Sequence, residues 1–246
     1  MSTIDLKFEN NGQLAHLTIN NRQRQNAITI AMWQEFSELL PQVISAKALL
    51  ITGSGANFCA GADINELKTL YGDQKKTAVF HNSMQTALND IRNLAIPTIA
   101  HIKGNCYGAA VAIAMACDLR FAETNAKFSI PPAKLGLLYP QADLQQLVQL
   151  IGTATAKQLL FTGEVITAET TAKINLINTV QDIDITSKII AKIINNSPRS
   201  IAAIKQMIDG RLDDPDAAFE QAFQSSDFAE GLAAFAAKRD PNFGNK

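Results

Sequence analysis

Two stretches of this chain place a glycine-bearing turn directly ahead of a helical run: FCAGADINEL at 58–67 and GNCYGAAVAIAMACD at 104–118. N–H groups in the first turn of a helix have no partner within it, and the helix dipole favours negative charge there. Either turn can therefore face an anion. Brought together, two such turns make an oxyanion hole. If the ligand is a thioester, the charge that develops on its carbonyl oxygen during α-proton removal, conjugate addition or decarboxylation would be held there, by about 3–4 kcal/mol per donor. Taken singly, each turn is more simply explained as a helix start with glycine for tight packing.

Other side chains offer less. Cys59, Cys106 and Cys117 form no CxxC pair and have no histidine at ligand spacing. They read as buried free thiols, and neither a disulfide framework nor a metal site is expected. His101 lies inside the TIAHIKG run, where a histidine satisfied within the core is the simpler reading than a base, and His16 and His81 offer nothing better.

The elements that must position the two turns follow from periodicity. LKFEN and AHLTIN alternate as two strands joined by an NGQ turn; Ala31 to Leu40 reads as an amphipathic helix, and ALLITGSG at 48–55 as a buried strand. Lys75 to Leu94 is a longer helix, PTIAHIKG at 97–104 the next strand, a small-residue helix starts near Gly108, and CDLRFAE returns as a strand. Beyond Gly152 apolar residues recur at helical spacing, with Ser197 before Pro198 and Asp214 before Pro215 as N-caps. The succession implies an α/β fold, with a core over 1–195 and a helical region over 196–246.

With 246 residues, 47% hydrophobic and 18% charged, and a formal net charge of −1, the chain is ordinary for a soluble globular protein, and nothing in it suggests nucleic acid. A phosphate-bearing ligand would need a few Lys and Arg or backbone donors instead of a general positive field. The N-terminus lacks a signal-peptide pattern and no run of about 18 apolar residues occurs, so a cytoplasmic protein without membrane partners is expected.

Together, in this order, the two turns resemble the paired signatures FCAGADI and GxxxGGGxELAxxCD of the crotonase (enoyl-CoA hydratase/isomerase) superfamily. The likeness continues through AKFSIPPAKLGLLYP, QLIGTATAKQLLFTGEVITAETTAKINLIN and DFAEGLAAFAAKRDPNF, nearly the whole chain. It implies a spiral of ββα units with C-terminal helices that mediate a homotrimer or homohexamer, and an acyl-CoA substrate with no cofactor beyond its coenzyme A moiety. Carried over by position, the oxyanion donors are the N–H groups of Ala62 and Ala109. This chain reads GAA where the family has GGG, and alanine supplies the same amide if its φ stays negative. The coenzyme A pocket maps to Arg24, Gln25, Ala27, Ala60, Ala62, Asp63 and Ile64, with Arg22 alongside and Phe235 and Lys238 contributed by a neighbouring subunit.

The acids of the family are missing. Its hydratases use two glutamates; the first position is Ala112 here and the second, in IPPAKLG where the family reads LPEVKLG, is Pro132. Neither residue transfers a proton. The position of the aspartates used by the family's dehalogenases and dienoyl isomerases is Pro140. Three readings follow. A carboxylate could come from elsewhere, with Asp143 nearest in sequence, although a solvated acid at a helix start explains Asp143 equally well. Decarboxylation needs no base in its first step, and AKLGLLYP resembles VNLGVPYN of methylmalonyl-CoA decarboxylases, which places Tyr139 on their active-site tyrosine; a tyrosine packed in its loop with the hydroxyl at the surface is the alternative. The chain could also bind acyl-CoA without turning it over.

Overall fold

The hairpin opens the fold as its alternation predicts: β1 (Thr3–Glu9) and β2 (Leu14–Asn20) pair antiparallel in the computed structural model, which describes residues 2–244. Helix α1 (Ile30–Leu39) follows, capped by the Thr29 side chain on the Met32 N–H, and buries Met32, Trp33 and Phe36 along one face. Strand β3 (Ala48–Gly53) runs parallel to β2. Its residues divide between two cores, Leu49 and Ile51 on one face and Ala48 and Leu50 on the other, which is why it reads as an unbroken apolar run.

Helices α2 (Ile64–Leu70) and α3 (Gln74–Asn93) lead to strand β4 (Thr98–Ile102), parallel to β3. The short β5 (Asn105–Tyr107) then runs into α4 (Ala109–Ala116). Residues Ala110 to Ala116 are all buried. A helix apolar all round has to be enclosed on every side, and its alanines let neighbouring backbones approach closely. The N-terminus of α4 thereby stands at the end of an enclosed rod.

Strands β6 (Leu119–Ala122) and β7 (Lys127–Ser129), helices α5 (Gln141–Ile151) and α6 (Thr153–Thr162), β8 (Ile166–Thr167), α7 (Ala168–Lys173) and β9 (Thr179–Val180) complete the α/β core. The main sheet has the order β1-β2-β3-β4-β6-β9, and β5, β7 and β8 form a second. Helices α8 (Ile183–Ile194), α9 (Pro198–Ile208), α10 (Pro215–Ala222) and α11 (Ser226–Ala237) end the chain. Helix α8 covers the second face of the main sheet, setting Ile190 and Ile194 on Leu50, Ile99 and Phe121. The expected caps are present: Ser197 accepts the Ser200 N–H and Asp214 the Ala217 N–H. The short strands β5, β7, β8 and β9, of two or three residues each, are too short to carry a periodicity of their own.

Candidate active site

Backbone pairing brings the two glycine turns together. The Cys59 N–H donates to Asn105 O at 2.9 Å and Tyr107 N–H to Cys59 O at 3.1 Å, a short parallel bridge between the loops. The main chain at Gly61 then lies against the start of α4: a Cβ there would stand 2.6 Å from the Tyr107 carbonyl oxygen and 3.5 Å from the Ala109 nitrogen. Only glycine fits so close an approach, and its φ of +97° is also one that other residues avoid.

Several amides of the two turns are committed to acceptors. In the first loop Ala60 N–H donates to Gln25 O, Gly61 N–H to the Cys59 sulfur, and Asp63 N–H to Ile28 O. In the second, Tyr107 N–H donates to Cys59 O and Gly108 N–H to Ser129 O. The N–H groups of Ala62 and Ala109 have no acceptor among the described residues, as is also true of Ile64 and Ala110 one residue further along, and Ala62 and Ala109 are half-buried. Both stand at or just before a helix start, where a donor has no partner within the helix and can face an oxygen atom. Neither alanine is among the residues with positive φ, so the GAA sequence presents its amide without strain, while Gly108 takes φ +53° and ψ −113°.

The stretch 22–28 wraps this site. Ile28 N–H donates to Gly61 O at 2.8 Å, and Ile28 forms a parallel bridge with Ala62. Arg24, Gln25, Ala27, Ala60, Asp63 and Ile64 thus gather around one loop pair. Asn26, which the sequence reading passed over, is the staple: buried, with φ +60°, it donates to Ser54 O and Asn57 O and accepts the Asn21 N–H. The signal available was its type, since asparagine tolerates the left-handed region better than most residues. Arg22 donates to the Ser54 hydroxyl. Phe235 on α11, 85% exposed, and Lys238 at its C-terminal cap take no part in the contacts that assemble this pocket within the chain, among the described residues.

Arg24 commits Nη1 to both oxygens of Asp63, at 2.8 and 2.6 Å, and Asp63 also caps α2 through the Asn65 N–H. Burial by itself would raise the Asp63 carboxyl; the Arg24 hydrogen bond and the Asn65 N–H outweigh it and hold it below the usual value. A lowered pKa gives stability that is complete above the ordinary carboxylate range and lost as pH falls through the lowered value. Asp63→Asn should lower stability by about 1–2 kcal/mol at neutral pH, a discounted figure because Arg24 is half exposed. The difference in thermal midpoint from the parent should shrink as the pH is taken below 4, by about that range for carboxylates.

Ala112 is buried within α4 and Pro132 sits in a short 3-10 turn, so neither position offers a proton. Asp143 is not the solvated acid of a helix start. It is 0% exposed in the first turn of α5, with Oδ1 on Arg92 Nη2 at 2.5 Å and Oδ2 on Gln85 Nε2 at 3.3 Å. Nothing local announces this, because both partners come from α3. Nor does the Tyr139 hydroxyl reach the surface: the residue is 9% exposed and its Oη–H donates to Gly108 O at 3.2 Å. His101 is a core histidine, with one ring nitrogen on Thr186 and the other on Glu123; burial lowers its pKa against the opposing pull of Glu123. The three cysteines are free and buried, and burial pushes Cys59 and Cys117 up to about 12, which removes them as thiolate nucleophiles.

A family model described as enoyl-CoA hydratase/isomerase matches residues 9–246. The chain belongs to that family. The membership drawn from its two signatures, and the crotonase-type α/β fold that went with it, are borne out. Among relatives of this enoyl-CoA hydratase/isomerase family chain, the short-chain-enoyl-CoA hydratase of Clostridium acetobutylicum is 32% identical over 94% of each chain. The crotonyl-CoA hydratase of Syntrophomonas wolfei is 31% identical over the whole of both. The crystal structure of enoyl-CoA hydratase from Bacillus anthracis superposes with a TM-score of 0.90 over 99% of each chain, at 26% identity. No helix among the described residues is long and apolar enough to cross a membrane.

Proposed function

We propose that this enzyme binds an acyl-CoA thioester and stabilises the enolate formed from it between the N–H groups of Ala62 and Ala109. The observation that carries the reading is the pair of unpartnered amides on abutting loops. Each donor is worth about 3–4 kcal/mol to an oxyanion in a site closed to water. The coenzyme A moiety lies along Arg24, Gln25, Ala27, Ala60, Asp63 and Ile64, where the outward part of the Arg24 guanidinium meets phosphate and the Asp63 pair keeps its stem in place. No further cofactor is involved.

A second reading concerns the reaction. With alanine and proline in place of the two acids and Asp143 enclosed by Arg92 and Gln85, the site has an oxyanion hole without a free carboxylate base at the family positions. Decarboxylation fits such a site: the bond from the α-carbon to the carboxylate breaks, its electron pair passes into the thioester as an enolate, carbon dioxide leaves, and a proton from water completes the product. A panel of crotonyl-, butyryl-, methylmalonyl- and ethylmalonyl-CoA, followed by mass spectrometry and carbon dioxide release, tests both readings. Binding of the thioesters supports the site. Loss of carbon dioxide from either malonyl derivative supports decarboxylation, and its absence from both removes it.

Helices α9 to α11 form the association region of a homotrimer or homohexamer in this reading. They present Ile208, Phe219, Leu232 and Phe235 at 79, 63, 55 and 85% exposure, large apolar side chains that association would cover. Sedimentation equilibrium should return three or six times the monomer mass; a monomer at micromolar concentration removes the proposal, and with it the contribution of Phe235 and Lys238 to a neighbour's pocket.

A further inference from the structure

A trans peptide carries its N–H and C=O on opposite sides, so whatever holds the oxygen also aims the N–H. The unit between Gly108 and Ala109 is held at its oxygen by two donors, the Val111 N–H at 3.0 Å and the Tyr139 hydroxyl at 3.2 Å. The N–H at its other end is that of Ala109. We infer that Tyr139 is a positioning residue of the oxyanion hole, acting through the Gly108 carbonyl to orient and polarise the Ala109 N–H. This rests on the enolate-binding reading of the site.

Three observations support the assignment. Gly108 sits at φ +53° and ψ −113°, a conformation open to glycine, so its contacts decide its ψ, and rotation about that bond swings the Ala109 amide directly. The tyrosine is itself fixed: its ring belongs to the main core and it stands one turn ahead of Asp143, which Arg92 and Gln85 anchor to α3. Alongside, Gln146 Nε2 donates to Met115 O, so α5 grips α4 near its C-terminal end as Tyr139 grips it at the start. Finally, toward the Gly108 carbonyl oxygen the phenol can act only as a donor. Burial first, and then the neighbouring Asp143 carboxylate, push it well above its usual range, so it keeps its proton at any working pH. A hydrogen bond accepted by an amide oxygen makes the N–H of the same amide a stronger donor, by about 10–30%.

The role separates from direct contact with substrate. A tyrosine that orients a substrate carboxylate matters only to thioesters that carry one; a tyrosine that polarises the hole matters to all of them. The probe is therefore butyryl-CoA labelled with carbon-13 at the thioester carbonyl, whose stretching band is read by difference infrared spectroscopy when bound. In the parent protein the band should move to lower frequency. In Tyr139→Phe it should recover part of that shift while the dissociation constant changes less than about twofold, and turnover of any panel substrate should fall about fivefold, as for loss of one hydrogen bond. Fluorotyrosine at position 139, isosteric and a stronger donor, should move the band further down and provides the measurement if the phenylalanine variant folds poorly. A band at the parental position in both variants overturns the positioning role and leaves the hole intact. An unshifted band in the parent itself overturns the enolate reading and this role together.

Discussion

Gly61→Ala should lower turnover by about two to three orders of magnitude, the scale seen when an oxyanion donor is lost. The added methyl would stand 2.6 Å from the Tyr107 carbonyl oxygen. That neighbour is backbone, held by the parallel bridge from Cys59, so it cannot rotate out of the way as a side chain would. The φ of +97° is unfavourable for alanine as well. Either the 58–63 loop retreats from α4 or its peptide planes turn, and both movements displace the Ala62 N–H from the oxygen it is meant to share with Ala109. Coenzyme A itself, placed by the proposal along Arg24, Gln25, Ala27, Ala60, Asp63 and Ile64, should still bind. The measurement is kcat/KM on the best substrate of the thioester panel beside the affinity for free coenzyme A. Turnover within threefold of the parent would show that the two amides do not act together.

The second large effect is an absence of ordinary hydratase activity. Each positioned acid or base contributes about 10²–10⁴-fold to a proton-transfer step. With Ala112 and Pro132 at the two family positions, hydration of crotonyl-CoA should run at least about 10³-fold slower than in a two-glutamate hydratase measured alongside, while crotonyl-CoA still binds. Crotonyl-CoA turnover at a rate ordinary for hydratases would refute this. Asp143→Asn then distinguishes the remaining carboxylate's roles. Because Asp143 is enclosed and paired with Arg92, its replacement should lower the thermal midpoint and reduce any residual rate by no more than the about fivefold expected from loosening Tyr139. Collapse of the residual rate in a variant that still folds would identify Asp143 as the base.

Much of the fold is legible because its elements are long and periodic. The hairpin, α1, α3 and the capped C-terminal helices follow from alternation, helical spacing and Ser-Pro or Asp-Pro starts, each a property of a few adjacent residues. The short strands of the second sheet are different. Two or three residues such as Asn105–Tyr107 or Ile166–Thr167 have no pattern of their own and become strands only because a partner lies beside them.

The same division runs through the site. The amino-acid sequence alone determines that two glycine turns precede helices, that α4 is apolar all round and must be enclosed, and that no acid stands at 112 or 132. These are statements about residue type and local order. Only the tertiary structure decides that Gly61 lies against the start of α4, that Asp143 is enclosed by Arg92 and Gln85, and that the Tyr139 proton belongs to the Gly108 carbonyl. Each joins residues 31 to 58 positions apart, or loops whose bridge spans Cys59 to Cys106. A buried polar group takes whichever partner the packed helices bring to it, and that choice is made by the enclosure of α4 between α3 and α5, which no local pattern encodes.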